Sequence, residues 1–415
     1  MIGRFWRRLA QNRLLDVAAV ALAAISLIQL SRLVPGRANQ DDFARYYVSG
    51  RLLLEGQNPY TIDLIPLYAS HGFVLPPGVQ VIRATYPPLS MWLFALFARL
   101  APGPGFVCWV TVEIGSLVII LWQTRRLLGE RVTKRGWLFV CAAALASVPV
   151  YWHFVYSQIG LLLAALVLTA YVWHVQGKQT LACVAVATAG LLKVFPLVLL
   201  PWFLWRSEGS VRRRATRAAV TAAVTGLLVF ITGIPLWLDY VRRILPWLPG
   251  DSMGTYNVSL AAYVAKLGVA VSGVSPVGDA ARPWITIGCY VGLIFIALCY
   301  GACLWSGRDP ETEFCLLCVA MLAGSIMTWV HGLVFLIFPV AVMGVRIARR
   351  PSWGGVALLT VILVFLNNVV TREGPFLDRH PLLNVSLNDL PMYGLLGVAV
   401  FFARQLRGSP LPKGE

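Results

Sequence analysis

The chain has 415 residues, of which 58% are hydrophobic and only 13% are charged. Its mean hydropathy of +0.72 is far above that of a soluble domain, which excludes a soluble enzyme. The formal net charge of +17 would suit a nucleic-acid-binding protein. In a chain this apolar, however, basic residues first report topology, because they accumulate in cytoplasmic loops. We therefore predict a membrane protein with no nucleic-acid partner.

Long apolar runs recur from residue 15 to residue 405, which predicts an all-α polytopic membrane protein. The strands of a β-barrel would instead show short segments of alternating hydrophobicity. The first run, LLDVAAVALAAISLIQL, is long and lacks a small-residue cleavage site. We therefore expect a retained helix here rather than a signal peptide.

Basic residues cluster in short loops, most clearly at 125–135 and 212–217. If these loops face the cytoplasm, the sequence predicts about twelve crossings, with both termini cytoplasmic. We expect a single integral-membrane domain over 1–415. Its long outer loops would be 34–87, 238–284 and 371–389.

Two apolar stretches do not fit simple crossings. The stretch at 88–100 would reach only about 20 Å as a helix, against a hydrocarbon core of about 30 Å, so we expect a partial or re-entrant helix. The stretch at 180–205 lies between two predicted cytoplasmic loops and must return to its own side. We expect two short helices with a break near Gly190 and Pro196.

The first outer loop begins with two adjacent acids, Asp41 and Asp42, followed by FARYYVSGRLLL. The helical spacing of its apolar side chains predicts an amphipathic helix lying in the membrane interface. Either acid could simply cap that helix, a role that aspartate fills well. Asp42 would also lie near the lipid headgroups, where a carboxylate could accept a proton from a hydroxyl. The predicted apolar face consists of Phe43, Tyr46, Tyr47 and Leu54.

All eight cysteines fall inside apolar runs, and none pairs with histidine at a metal-ligand spacing. We therefore predict no disulfide, no metal site and no cofactor. The chain also lacks a GxxxxGK[ST] phosphate loop and a soluble domain large enough to bind a nucleotide sugar. Any activated substrate must then come from the membrane or from its outer side.

Cationic side chains gather on the predicted outer side, where the positive-inside rule does not explain them. Arg45, Arg83 and Lys193 could neutralise a phosphate group, and arginine does so bidentately. His331 lies on the same predicted side. Lys193 could instead snorkel from a helix end, and His331 could be an ordinary interfacial histidine. Glu113 lies inside an apolar span and is therefore a functional candidate, but it could equally pair with a lysine or arginine for structure, so we assign it no role.

An acid and several cations on one side together predict group transfer from a phosphate-bearing donor. The competing interpretations are a transporter or flippase of a lipid-linked or anionic solute, and a lipid-linked glycan ligase or polymerase. The one-sided placement of the polar residues and the lack of an inverted repeat speak against the transporter.

Six motifs follow one another along the chain: DFARYYVSGRLLLEGQNPY, YPPLSMWLFALFARL, SQIGLLLAALVLTA, GLLKVFPLVLLPWFL, NVSLAAYVAKL and TWVHGLVFLIFP. Their order resembles that found in glycosyltransferase family 87, of the GT-C superfamily. The resemblance extends to the mycobacterial polyprenyl-phosphate-mannose-dependent mannosyltransferases of phosphatidylinositol mannoside synthesis.

The resemblance implies a polyprenyl-phosphate sugar donor, with mannose as the expected sugar, and a hydroxyl acceptor on a glycolipid or glycan at the outer face of a bacterial inner membrane. It implies Asp42 as the base of an inverting transfer, although Asp41 is extra to the family pattern and competes for that role. His331 is followed by Gly332 where family members often carry a second histidine. We expect His331, Lys193, Arg45 and Arg83 to bind the donor phosphate. Other substrate contacts are expected from Asp41, Tyr46, Tyr86, Gln158 and Asn257.

Overall fold

The computed structural model shows an all-α protein. In the residues that it describes, extended backbone pairs only at one isolated bridge, between Asn257 and Trp329. The described residues are 13–33, 41–74, 83–206, 209–276, 278–305, 309–368 and 375–408. Their α-helices are α1 Arg13–Leu33, α2 Asp41–Leu54, α3 Ile65–Ser70, α4 Pro88–Phe97, α5 Pro102–Leu128, α6 Lys134–Leu145, α7 Val148–Val155, α8 Gly160–Val175, α9 Gln179–Leu192, α10 Leu200–Trp205, α11 Val211–Thr232, α12 Ile234–Asp239, α13 Leu260–Ser272, α14 Arg282–Trp305, α15 Pro310–Gly324, α16 Ile337–Arg349, α17 Trp353–Leu366, α18 Pro375–Asp378, α19 Pro381–Asn388 and α20 Leu390–Gly408.

Five helical segments of the described chain are long and apolar enough to cross a membrane. Two bent helix pairs, α6 with α7 and α19 with α20, raise the number to seven if each pair is one span. The prediction of a multi-pass α-helical membrane protein is therefore confirmed. The larger number of about twelve crossings stays a prediction, because six other apolar helices have only 10–17 residues. The five segments are Arg13–Arg32, Pro102–Arg131, Val211–Thr232, Asp279–Trp305 and Val330–Arg349.

The stretch at 88–100 forms the short helix that its length predicts. α4 starts with proline in its first turn, where a missing N–H costs nothing, and it ends at Phe97. The chain then starts α5 at Pro102, which runs for 27 residues. One short helix followed by one long helix agrees with the expected partial helix before a full span, while its depth in a membrane stays a prediction.

The stretch at 180–205 is broken as expected. α9 ends at Leu192, Lys193 is extended, and a 3₁₀ helix over Phe195–Leu199 leads into α10. A Cβ atom on Gly190 would collide with the Leu197 side chain, so glycine lets the returning segment pack against α9. The break therefore lies at Lys193, between the two residues that predicted it.

The chain forms two compact units. The Asp42 unit contains Leu27–Gln123 and Trp152–Leu248, and the His331 unit contains Met1–Ser26, Thr124–Tyr151 and Pro249–Glu415. In the Asp42 unit, α2 packs closely against α4, since a Cβ atom on Gly50 would lie 2.6 Å from the backbone nitrogen of Ala95.

In the His331 unit, α15 is buried from Thr312 to Gly324 and packs against α14 and α20. A helix that is buried on every side reads as continuously apolar, which is why its sequence shows no amphipathic stripe.

Candidate active site

Helix α2 carries the predicted base and two of its neighbours. Arg45 and Tyr46 lie three and four residues after Asp42, which places them on the same side of the helix as the acid. Arg45 Nη2 lies 3.6 Å from Asp42 Oδ1, and the side chains of the two residues are only 16% and 14% exposed. Arg45 Nη1 also donates a hydrogen bond to Thr85 Oγ1 at 2.9 Å. The Asp42 carboxylate and the Arg45 guanidinium are thus held together with little exposure to solvent.

The apolar face of α2 is buried against protein. The Tyr46 ring stacks on Phe94 with centroids 4.1 Å apart, and the Phe43 ring contacts Phe106 edge-on at 5.0 Å. Tyr47 is also buried, whereas Leu54 is only partly buried. The predicted helix and its apolar face are present, while its position in a membrane interface stays a prediction.

Gln158 joins the acid to two tyrosines. Its Nε2 donates to Asp42 Oδ2 at 2.6 Å. Its Oε1 accepts hydrogen bonds from the hydroxyls of Tyr86, at 3.1 Å, and Tyr46, at 3.4 Å. Burial, and next the Asp42 carboxylate, raises the pKa of Tyr86, and burial raises that of Tyr46 most strongly, so both hydroxyls remain donors. The amide of Gln158 is thus committed to holding side chains of the protein.

Lys193 lies at the break between α9 and the following 3₁₀ helix. Its Nζ is 5.3 Å from the centre of the Tyr86 ring and 5.8 Å from that of Phe195, within cation–π range of both. Ser90 of α4 donates to the Leu192 carbonyl at 2.5 Å and anchors this break. Burial lowers the pKa of Lys193 to about 8; the Asp42 carboxylate opposes this shift, and Arg45 adds to it. Lys193 lies outside the five helical segments, and outside the two bent pairs, that are long and apolar enough to cross a membrane.

The Asp42 unit therefore brings together six of the predicted site residues. One carboxylate lies beside the Arg45 guanidinium and within electrostatic range of Lys193, and two tyrosine hydroxyls and an amide complete the cluster. Such a set can accept a proton from a hydroxyl and can neutralise a departing phosphate. No three His, Cys, Asp or Glu side chains of the described chain form a group that could hold a metal ion. The six residues are Asp42, Arg45, Tyr46, Tyr86, Gln158 and Lys193.

Two other predicted residues of this region are less informative. Asp41 is the first residue of α2, but its side chain lies outside the described part of the structure. Arg83 is exposed on the segment that leads to Tyr86. The choice between Asp41 and Asp42, and a phosphate contact of Arg83, stay predictions.

His331 and Asn257 belong to the other unit, where they lie on adjoining segments. Asn257 is fully buried, donates to the Ile326 carbonyl at 2.8 Å and accepts from the Thr328 amide at 3.0 Å. His331, 7% exposed, follows in a 3₁₀ helix over Val330–Leu336. The Asn257 side chain thus holds the segment that precedes His331. Substrate contacts of either residue stay predictions.

Sequence reasoning missed one buried pair. Glu113 of α5, to which the sequence analysis assigned no role, pairs with a histidine rather than with a lysine or an arginine: its Oε2 lies 2.5 Å from His153 Nε2, and both side chains are buried. A glutamate inside an apolar run was a visible signal. Its partner was not, because His153 lies 40 residues further along the chain.

Fold and site together define a multi-pass membrane protein with the side chains of a group-transfer enzyme. The model of glycosyltransferase family 87 matches residues 84–328, more than half of the chain, and the chain belongs to this family. The family resemblance indicated by the motifs is therefore confirmed, and the protein is a glycosyltransferase. Asp42 and His331 lie outside the matched residues.

The chain is also similar to a curated relative from Mycolicibacterium smegmatis, a polyprenol-phosphate-mannose-dependent alpha-(1-2)-phosphatidylinositol mannoside mannosyltransferase. The two sequences are 27% identical over 349 residues, which cover 75% of this chain and 71% of the relative.

Proposed function

We propose that this protein transfers a single sugar, mannose in the first instance, from a polyprenyl-phosphate donor to a hydroxyl of a glycolipid or glycan acceptor. The reaction takes place on the outer face of a bacterial inner membrane, with both termini of a chain of about twelve crossings in the cytoplasm. The observation that carries the proposal is the cluster of Asp42, Arg45 and Lys193 in a chain of glycosyltransferase family 87. The printed activity of the mycobacterial relative supports the choice of donor.

In the proposed reaction, Asp42 accepts the proton of the acceptor hydroxyl. The acceptor oxygen forms a bond to the anomeric carbon, and the bond from that carbon to the phosphate oxygen breaks. The electron pair of the broken bond leaves with polyprenyl phosphate, and a single displacement inverts the anomeric configuration. General-base assistance is typically worth about 10²–10⁴-fold in rate.

Arg45 and Lys193 have complementary roles in this reaction. Arg45 lies beside the base and is charged at every pH of interest, so it can meet the developing charge of the leaving phosphate. Lys193 is held against two aromatic rings, from which its ammonium group can reach an anion. Neither role needs a nucleotide or a soluble domain, because the donor is a membrane lipid.

The test is turnover by the purified protein in lipid nanodiscs with polyprenyl-phosphate-mannose and total lipid of the source organism. Release of polyprenyl phosphate is followed with and without acceptor lipid. We expect acceptor-dependent release that falls about 10²–10⁴-fold in Asp42→Asn. Asp41→Asn decides between the adjacent acids, and Asp63→Asn, at an exposed acid of the same unit, is the matched control that should keep full activity.

Two results would contradict the proposal. Full turnover by Asp42→Asn would remove the base from the mechanism. Absence of release with every polyprenyl-linked sugar, while labelled lipid still crosses the bilayer, would instead identify a transport protein that has kept the family's fold.

A further inference from the structure

The turn that carries Gln158 is unusually constrained. It follows α7, and the backbone N–H of Gln158 donates to the backbone carbonyl of His153 at 3.2 Å. Ser157 has a φ of 51°, and among the described residues it is the only non-glycine residue with a positive φ. A left-handed serine is unfavourable unless surrounding contacts hold it, and such residues concentrate at functional sites. The turn is therefore maintained by its environment.

Helix α5 holds this turn at two points. Trp109 Nε1 donates to the Ser157 carbonyl at 3.1 Å. Glu113, one helical turn further along α5, pairs with His153 at 2.5 Å, and the pair is buried. All four residues belong to the Asp42 unit. The strained residue and the start of the turn are thus fixed to the same face of one long helix.

The orientation of the Gln158 amide follows from its partners. A carboxylate only accepts hydrogen bonds, so the NH₂ end must face Asp42. The hydroxyls of Tyr46 and Tyr86 converge on the oxygen end and keep it there. Gln158 approaches one carboxylate oxygen, and Arg45 approaches the other. One hydrogen bond, from Gln158, and one ion pair, with Arg45, thereby hold the Asp42 carboxylate from different parts of the unit.

We infer that Gln158 is a positioning residue for the base, and that the buried Glu113–His153 pair acts through the turn to keep Gln158 in place. The inference rests on the proposed function and changes the role of Gln158 from substrate contact to positioning. It also assigns a role to Glu113, the acid inside the apolar helix α5: with His153, it holds the turn that carries Gln158. Hydrogen bonds to a charged group are strong enough that losing one should slow the reaction about tenfold to a hundredfold.

The first test is Gln158→Met, which keeps the volume and removes the amide. We expect kcat to fall about tenfold to a hundredfold while the KM for acceptor changes less than about twofold. The acid limb of the pH–rate profile should move to higher pH, because the charged form of the base has lost a donor. Arg45, Lys193, Tyr46 and Tyr86, the titratable groups around Asp42, are unchanged in this variant.

Gln123→Met is the matched control. Gln123 is also a buried glutamine of the Asp42 unit, and its Nε2 donates to Thr169 Oγ1 at 2.8 Å. Gln123→Met should lower the Tm about as much as Gln158→Met does, and it should leave kcat and the pH profile unchanged.

The second test is the double variant Glu113→Leu/His153→Phe. Replacing both members of a buried polar pair by apolar residues, as opposed to one member, is often neutral or stabilising, so the fold should survive. We expect a Tm at or above that of the wild type, together with a lower kcat and the same shift of the acid limb as in Gln158→Met. Adding Gln158→Met to the double variant should lower kcat no further, because both changes act through one contact.

The outcomes separate this inference from the proposed function. A raised KM with unchanged kcat in Gln158→Met would make Gln158 a substrate ligand and overturn the inference. Full activity of the stable double variant, or multiplying losses in the triple variant, would overturn the part played by the Glu113–His153 pair. Turnover by Asp42→Asn would overturn the proposed function itself, and the inference with it.

Discussion

The charge of Lys193 should limit turnover in alkaline solution. With a pKa of about 8, its ammonium form is present below that pH and is lost as the pH rises through it. The side chain is then about nine-tenths charged at pH 7 and about one-tenth charged at pH 9. If this cation binds the donor phosphate, kcat/KM for the donor should fall about tenfold per pH unit above pH 8, until the contribution of the charge is exhausted.

The contribution of the Lys193 charge to kcat/KM is set by the hydrogen bond that its ammonium group would make to the donor phosphate. A hydrogen bond to a charged group is worth about 1.5–3 kcal/mol, or about tenfold to a hundredfold in kcat/KM. Lys193→Met should show this loss at pH 7 and no further alkaline decrease near pH 8. Lys193→Arg should keep much of the activity at pH 7 and also lose the alkaline decrease, because a guanidinium group stays charged. Tyr46 and Tyr86 do not titrate in this range, since burial raises the pKa of each.

The assay is donor kcat/KM in nanodiscs between about pH 6 and pH 10. Lys178→Met is the matched control, because Lys178 is exposed next to the opposite end of α9. It should leave the whole profile unchanged. An alkaline decrease that persists in Lys193→Arg would refute the reasoning, because the titrating group would then be another residue.

Two further predictions concern stability, measured as unfolding in detergent or nanodiscs. Gly190→Ala should destabilise the protein by about 1–3 kcal/mol, because its Cβ would overlap the Leu197 side chain. Adding Leu197→Ala to this variant should recover part of the loss. Losses of the two single variants that simply add in the double variant would contradict this explanation. Lys266→Met should cost about 3–5 kcal/mol, because it leaves buried Asp389 without the ammonium group 2.7 Å away. The double variant Lys266→Met/Asp389→Leu should be close to wild type in stability, and an equal or larger loss would show that the pair itself is strongly stabilising.

Local patterns predicted much of the architecture. The helical spacing of Phe43, Tyr46 and Tyr47 indicated α2, because a buried helix face must recur every three or four residues. Gly190 and Pro196 indicated the break in the returning hairpin, since each disfavours a continuous helix. Such features depend on residues that are neighbours along the chain.

Pairings between distant residues were beyond this reasoning. The acid Glu113 was conspicuous within its apolar run, but its histidine partner could have been any polar residue that packing brings to α5. Asn257 was singled out as a substrate contact, which stays a prediction, and nothing in the sequence indicated that its amide also holds the backbone of Ile326 and Thr328. An asparagine motif reads the same in a sequence whether its side chain faces a substrate or the backbone of its own chain.

The residue order alone predicted an α-helical membrane protein of a recognisable family, with an acid at the start of α2 and cations in later segments. The folded chain was needed to show that Gln158, 116 residues beyond Asp42, donates to that acid, and that Lys193 lies against Tyr86 of the same cluster. Apolar periodicity depends on neighbours along the chain, so it can be recognised without the fold. The placing of one donor within hydrogen-bond distance of one carboxylate depends instead on how α2, α4, α5 and the strained turn at Ser157 pack together.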